Sequence, residues 1–251
     1  MNRPTLKLLT INTHKGFSWF NRRFVLHQLR EAIRETKADI VFLQEVIGEN
    51  TSKAQKHEDW PTEPHYEFLA DSIWPEYAYG KNAIYPKGHH GNAILSKFPI
   101  RSLEHKNIST NRIEDRGFLM CEIEIPETGQ SIYNICIHLG LWSMSRRKQM
   151  RLIKNYINEN IPKEQPLIVA GDFNDWRSHA ENILAEPIGL TDVFMEARGK
   201  MVRTFPAKFP LLKLDRIYSR GFKVNQVNVC KDKRWKKLSD HVGLLSEVVI
   251  Q

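Results

Sequence analysis

Polar side chains recur at the ends of apolar runs in this 251-residue chain. Asn12 ends Leu8-Leu9-Thr10-Ile11, Glu45 ends Ile40-Val41-Phe42-Leu43-Gln44, and His138 ends Ile135-Cys136-Ile137. Asp172 and Asn174 follow Leu167-Ile168-Val169-Ala170-Gly171, Asp215 lies in Leu214-Asp215-Arg216-Ile217, and Asp240-His241 precedes a last apolar run. One strand-terminal Asn or Glu is ordinarily a cap or a turn residue. Six such placements in order argue for a shared edge where polar atoms collect. The types present suit phosphodiester hydrolysis, which needs a cation on the phosphoryl oxygens, an activated in-line water and help for the leaving oxygen. Glu45 is a candidate ligand for a hard cation such as Mg²⁺ or Mn²⁺, with no thiolate near it in sequence; its alternative is a surface carboxylate. Asp172 and His241 both qualify as the general base.

Strands and helices must deliver these groups. Period-two and continuous apolar patterns predict strands over 6–12, 39–46, 91–96, 117–125, 131–138, 167–171, 214–218, 223–230 and 244–250. Leu26, Leu29 and Ile33 share one helical face after a candidate cap at Asn21, and Met150, Ile153 and Ile157 share another after Ser145. Both helices are amphipathic and are expected to cover a sheet. The stretch from Asn50 to Gly91, rich in Pro, Trp, His and Gly, reads as long loops with a short helix or strand. No repeat or linker divides the chain, so residues 1–251 read as one domain.

Composition narrows the setting. No apolar run approaches the roughly 20 residues that span a bilayer, and the N-terminus lacks a signal-peptide pattern. Three cysteines without CxxC spacing suggest neither a disulfide framework nor a zinc site, so a cytoplasmic, reducing setting is expected. A formal net charge of +8 favours polyanions without choosing among nucleic acid, anionic headgroups and small phosphates.

The segments Thr10-Ile11-Asn12, Leu43-Gln44-Glu45-Val46, His138-Leu139, Gly171-Asp172-Phe173-Asn174, Leu214-Asp215-Arg216-Ile217 and Ser239-Asp240-His241, with Gly91 to Ser96 and Arg116-Gly117, resemble the endonuclease/exonuclease/phosphatase superfamily. Its members include DNase I, exonuclease III-type repair enzymes, bacterial sphingomyelinases and inositol polyphosphate 5-phosphatases. The resemblance implies a DNase I-like four-layer α/β/β/α sandwich, two mixed β-sheets flanked by helices. It implies Glu45 as principal metal ligand, supported by Asn12 and Asp240, for Mg²⁺ or Mn²⁺. Asp172 is implied as the group that activates water, Asn174 as a holder of that water or the phosphate, and His241 as a phosphoryl ligand oriented by Asp215. His138, where abasic-site enzymes carry tyrosine, donates to a phosphoryl or leaving-group oxygen in this reading, and Arg116 clamps a phosphate. His14 stands where repair enzymes have an Asp, which puts a second metal site in doubt.

The rim bears on the substrate. Phe17, Trp19 and Phe20, then Leu141 and Trp142, then residues 204–212 bring bulky apolar groups to three loops near the expected site. They either pack beneath those loops or, beside Lys15, Lys208 and Lys213, meet a lipid interface or stack on single-stranded nucleic acid. Arg146-Arg147-Lys148 and the run 231–237 are candidate phosphate-tracking surfaces. The expectation is a monomeric, metal-dependent phosphodiesterase acting on a phospholipid or other non-nucleic diester, peripheral at the inner membrane surface. A DNA or RNA nuclease is the alternative, and a non-catalytic phosphate-binding protein the alternative of another class.

Overall fold

Strands buried on both faces read as continuous apolar sequence, and parallel pairs need a crossover long enough for a helix. The computed structural model describes residues 4–251 and contains two such units. Strand β1 (Thr5–Asn12), helix α1 (Leu26–Thr36) and strand β2 (Ile40–Asn50) form the first. After α2 (Thr51–Ala54), α3 (His65–Ala70), β3 (Glu76–Tyr85), β4 (Gly88–Ser96), β5 (Ile100–Asn107) and β6 (Gly117–Ile125) comes the second: β7 (Gln130–His138), α4 (Ser143–Asn160) and β8 (Leu167–Asp172). The chain ends with β9 (Thr191–Asp192), α5 (Val193–Arg198), β10 (Asp215–Arg220), β11 (Phe222–Cys230) and β12 (Gly243–Ile250).

Two mixed six-stranded sheets result, ordered β11-β12-β1-β2-β4-β3 and β5-β6-β7-β8-β10-β9. Their inner faces share one apolar layer, in which Leu8, Ile40, Phe42 and Ile94 of the first meet Leu119, Ile123, Ile168 and Ile217 of the second. Outside the first sheet, Leu26, Leu29, Ala32 and Ile33 of α1 pack on Leu9, Ile11, Val41 and Leu43. Outside the second, Met150, Ile153 and Ile157 of α4 pack on Ile135, Ile137, Leu167 and Val169. Each fully buried Leu or Ile contributes about 1.5–3 kcal/mol, so the helices are held by their apolar stripes and position the parallel pairs. The four-layer α/β/β/α sandwich follows from these three apolar layers.

Two polar ties cross the inner layer. Asn92 of β4 donates through Nδ2 to the carbonyls of Gly117 (3.0 Å) and Cys136 (3.2 Å) in the opposite sheet. Gln44 of β2 donates to Thr10 Oγ1 (3.2 Å) and to Cys136 Sγ (3.3 Å).

Several sequence expectations need correction. The stretch from Asn50 to Gly91 is not mainly loop: it holds β3, the start of β4 and two short helices. β5 was not anticipated: none of its side chains is buried, and only Ile100, Glu104 and His105 are half-buried. Asn21 does not cap α1; it closes a 3₁₀ turn over Trp19–Asn21, and Val25 precedes the helix without a side-chain cap. Helix α4 begins at Ser143, two residues before Ser145.

His65 of α3 is 2% exposed, and neither ring nitrogen has a hydrogen-bond partner among the described residues. It packs against Trp60 at 4.5 Å and Phe24 at 5.8 Å between ring centroids. Burial first, then the charge of Lys53, pushes its imidazole down to about 3. The unfolded chain protonates this group below about 6.5 while the folded chain does not, so stability is lost as pH falls from about 6.5 toward 3. His65→Phe is expected to remove about 2 kcal/mol of the stability difference between pH 7.5 and pH 5, by linkage. Urea midpoints at the two pH values check this, and equal acid sensitivity in both proteins would contradict it.

Candidate active site

The C-terminal ends of both parallel pairs reach one edge of the sandwich. Asn12 is in register with Gln44 in the first sheet, and His138 and Asp215 each pair with Asp172 in the second. The loop before β12 brings Asp240 and His241 to the same edge, because Ser239 Oγ donates to the Asn12 carbonyl (2.6 Å) and accepts from the His241 amide (3.1 Å).

Glu45 owes its aim to a bulge. Between Leu43 and Val46 the β2–β4 register shifts, and Glu45 adopts φ 55°, a left-handed conformation that costs a non-glycine residue about 1–2 kcal/mol. Asn174 (φ 49°), His14 (φ 46°) and Lys15 (φ 58°) share this region of backbone space. Strain concentrated in this way marks positions fixed by something other than local preference.

Asp172 is 1% exposed and lies where three strand ends meet. Its Oδ2 accepts from Asn12 Nδ2 (3.2 Å) and stands 3.5 Å from His138 Nε2 and 3.9 Å from His241 Nε2. Its Oδ1 accepts the Asn174 amide (2.9 Å), and Asn174 Nδ2 donates to the Leu139 carbonyl (2.9 Å). Burial, reinforced by the neighbouring Asp215 carboxylate, raises the Asp172 carboxyl into the neutral range despite His241 beside it. His241 Nδ1 donates to Asp215 Oδ2 at 2.8 Å, which leaves Nε2 facing the site. Burial opposes its protonation, but Asp215 and Asp172 together raise its pKa, so the ring is cationic at neutral pH. His138 behaves in the opposite way. Full burial and the charge of Arg116 hold it well below the usual histidine range, so it is neutral.

Burial also works against ionisation of Glu45, yet facing positive groups, His138, Lys15, His90 and His14 in order, keep its carboxyl well below the usual range. His138 is itself neutral, and burial lowers His90 to about 4, so Lys15 supplies the lasting charge. Lys15 Nζ is 3.3 Å from Glu45 Oε2 without hydrogen-bond alignment, and that buried oxygen has no hydrogen-bond partner among the described residues. Asn12 Nδ2 reaches Glu45 Oε1 at 3.5 Å, and Asp240 Oδ2 lies 3.7 Å from His14 Nε2. An ionised, under-bonded carboxylate fits a hard divalent cation, whereas Asn12, expected as a supporting ligand, turns its NH₂ to Glu45 because its Oδ1 accepts the His14 amide (3.0 Å). Asp172, Asp215 and His241 also place one ligand atom each within 4.8 Å of one another, but the His241 ring is cationic, with both nitrogens protonated and Nδ1 bonded to Asp215. Glu45 is therefore the better seat.

The structure brings Asn12, Glu45, His138, Asp172, Asn174, Asp215, Asp240 and His241 to this edge. Arg116 is close enough to act electrostatically on His138, and its Nε donates to the Leu139 carbonyl (3.2 Å). Sequence reasoning missed the pairing of Lys15 with Glu45, and it missed His90, which sits opposite Ile47 just beyond the bulge. It also missed Glu114, which accepts the Leu141 amide (3.0 Å) and pairs with Arg116. Arg146 does not belong to a surface basic run: it is 1% exposed and donates to the carbonyls of Gly140 and Leu141, bracing the loop after His138. Of the rim aromatics, Phe17 is buried, whereas Phe20 and Trp142 are each 64% exposed.

Comparison with known proteins places this geometry in context. A model of the endonuclease/exonuclease/phosphatase family matches residues 9–241. The Escherichia coli (strain K12) protein YbhP is 47% identical over 244 residues, covering 97% of this chain and 96% of YbhP. An endonuclease/exonuclease/phosphatase from Beutenbergia cavernae superposes with a TM-score of 0.77 at 16% identity, over 99% of this chain and 72% of that one. The mannosyl-6-phosphatase Bt3783 of Bacteroides thetaiotaomicron gives 0.75 at 17% identity, over 98% and 100%. At these identities the two structures show a shared fold.

The strain at Glu45 is testable without turnover. Glu45→Gly relieves the left-handed φ and removes a buried charge, so thermal or urea unfolding is expected to show stability unchanged within about 1 kcal/mol, or increased. A loss beyond about 2 kcal/mol would mean that the carboxylate holds the fold together.

Proposed function

The chain belongs to the endonuclease/exonuclease/phosphatase family, and from that premise we propose that it is a divalent-metal-dependent phosphodiesterase whose substrate is presented at a lipid surface. Members of this family hydrolyse phosphoester bonds. One observation carries the reaction class: the Asp172 carboxylate stands among Asn12, His138 and His241, with the under-bonded Glu45 carboxylate on the other side of Asn12.

In this reading Glu45, with Asp240, would hold Mg²⁺ or Mn²⁺, and Asn12 orients the Glu45 carboxylate through its NH₂ group; the ion when bound supplies Lewis-acid charge to the phosphoryl oxygens. Asp172 takes the proton of the attacking water, a task matched to a carboxyl raised toward neutrality. Asn174, fixed by its bond to Leu139, holds that water or the phosphate. His241, cationic and oriented by Asp215, donates from Nε2 to a phosphoryl oxygen. His138 is neutral but keeps one N–H, which it offers to a phosphoryl or leaving-group oxygen. Arg116 adds fixed positive charge on the same side. Hydrolysis of a soluble diester such as bis(p-nitrophenyl) phosphate is expected to stop with EDTA and return with Mg²⁺ or Mn²⁺. Asp172→Asn should lower its turnover by about 10² to 10⁴ with little change in KM. Chelator-resistant turnover would exclude the mechanism, and near-native turnover in Asp172→Asn would pass the role of base to His241.

The substrate reading rests on where apolar surface is exposed. Among the described residues, fourteen large apolar side chains are exposed, and ten of them stand on the loops, the β3–β4 hairpin tip and the first turn of α4 at the site edge, including Phe20, Ile113, Leu141, Trp142, Met144 and Phe209. Concentrated exposed apolar surface marks an interaction face, and rings beside lysines suit the boundary between headgroups and acyl chains. No helix among the described residues is long and apolar enough to cross a membrane. We read the chain as meeting a membrane surface peripherally, through these side chains. Phe20→Ser combined with Trp142→Ser is expected to reduce hydrolysis of phospholipid in vesicles by about 10- to 100-fold, the cost of withholding two rings from the acyl boundary, while leaving the soluble diester unaffected. Plasmid nicking without turnover of any phospholipid would overturn the choice of substrate.

A further inference from the structure

Beside the site edge lies a second concavity of about 790 Å³, walled by the loop after β1, the start of α1 and the loop between β11 and β12. Arg22, Arg23, Lys208, Lys233, Lys236 and Lys237 line it, with Arg234, which pairs with Glu35, and one carboxylate, Glu31. Among the described residues none of the six has a carboxylate within 4.0 Å. The acids nearby are engaged elsewhere: Glu31 with Arg30 and Arg34, Glu35 with Arg234, and Asp232 with the amides of Arg234 and Trp235. Phe24, Val25 and Leu238 give the cavity an apolar part. Six cations around one concavity repel one another, and the single lining carboxylate, Glu31, already shared by Arg30 and Arg34, offsets only part of that repulsion, so an anion that enters relieves it.

We propose that this pocket binds the phosphate headgroup of an anionic phospholipid, and that through it the protein seats its catalytic edge on the membrane; the inference rests on the lipid-surface reading above. Two observations favour a headgroup over a nucleic-acid strand. Trp19, the large aromatic ring of the pocket, is not free to stack on a base: Phe20 stacks on it at 4.5 Å and the Lys208 ammonium lies 4.7 Å from its ring centroid. The loops that supply the cations also carry the exposed rings Phe20 and Phe209, so cations and insertable side chains face the same boundary. The pocket is tied to the catalytic groups by its walls. Leu238 is followed directly by Ser239-Asp240-His241, and the loop carrying Trp19 and Arg22 leaves β1 at Asn12. A headgroup held there sets the position of both loops relative to the bilayer.

The test uses the full chain in EDTA, so that no turnover occurs. Co-sedimentation is measured with phosphatidylcholine vesicles with and without 20 mol% phosphatidylglycerol. The expected result is at least tenfold stronger binding to the anionic vesicles, lost in Lys233→Ser/Lys236→Ser/Lys237→Ser, with unchanged thermal stability and, in a separate assay with Mg²⁺, unchanged turnover of the soluble diester. A second triple variant of equal charge loss on α4 and beyond, Arg151→Ser/Lys154→Ser/Lys163→Ser, is expected to retain most of the binding. Titration with dihexanoyl phosphatidylglycerol should shift the Trp19 indole N–H resonance in the native chain. Equal losses in the two triple variants would reduce the effect to diffuse charge and overturn the pocket. Binding of oligothymidylate through the same lysines, tighter than binding of anionic vesicles, would overturn the choice of a lipid. Failure of the chain to hydrolyse any diester would sink the enzymatic reading and leave this binding result standing.

Discussion

Two carboxylates from different sheets, Glu45 and Asp172, share one space, and the amide of Asn12 is the group that touches both. Buried charges of like sign are costly unless hydrogen bonds and opposite charges compensate them. Asn12 can serve both because its carbonyl oxygen is already taken by the His14 amide, which turns the NH₂ group toward the carboxylates. Its own backbone carbonyl receives Ser239 Oγ, so the loop bearing Asp240 and His241 is fixed by the same residue. Lys15 then compensates Glu45, and His241 compensates Asp172 and Asp215. The two histidines nearest Asp172 consequently hold different charge, His138 neutral beside Arg116 and His241 cationic between two aspartates. That division lets two rings of the same type do different work within one cavity.

The same arrangement explains the strained backbone. A regular β2 would send successive side chains to opposite faces, and Glu45 would point into an apolar layer or away from the site. The bulge at Gln44–Glu45 adds the turn that aims the carboxylate along the edge, while Gln44 is held beneath it by Thr10 and Cys136. Asn174 is held in the same region of backbone space by its bonds to Asp172 and Leu139. The local cost is balanced by the buried aliphatic layers between the sheets and beneath the helices.

Much of this was legible in the sequence because parallel strands buried on both faces announce themselves. Ile40 to Leu43, Ile135 to Ile137 and Leu167 to Ala170 are uninterrupted, Leu8 to Ile11 is broken only by Thr10, and a polar residue at the site edge follows each within two positions. β5 was illegible for the opposite reason: an edge strand with Arg101, Ser102, Lys106 and Asn107 facing solvent lacks the alternation that buried strands must have. The Asn21 cap failed because two left-handed residues, Phe20 and Asn21, end a separate turn before α1 begins. Arg146 was misread because a guanidinium that satisfies backbone carbonyls looks, in sequence, like any member of a basic run. The pairing of Lys15 with Glu45 depends on a loop fold and leaves no periodic trace.

Asn92 carries a consequence for how the sandwich tolerates change. Two sheets joined only by interdigitating aliphatic groups can slide over one another at modest cost, since dispersion is indifferent to direction. A site divided between the sheets would lose its distances with the first ångström of such slippage. The Asn92 amide, bonded to carbonyls of both β6 and β7, acts as a dowel, and Gln44 on the neighbouring strand, bonded to the Cys136 thiol, as a second pin. With alignment fixed by directional bonds, the aliphatic layer around them is free to drift in composition among similar volumes while the two halves of the site stay in step.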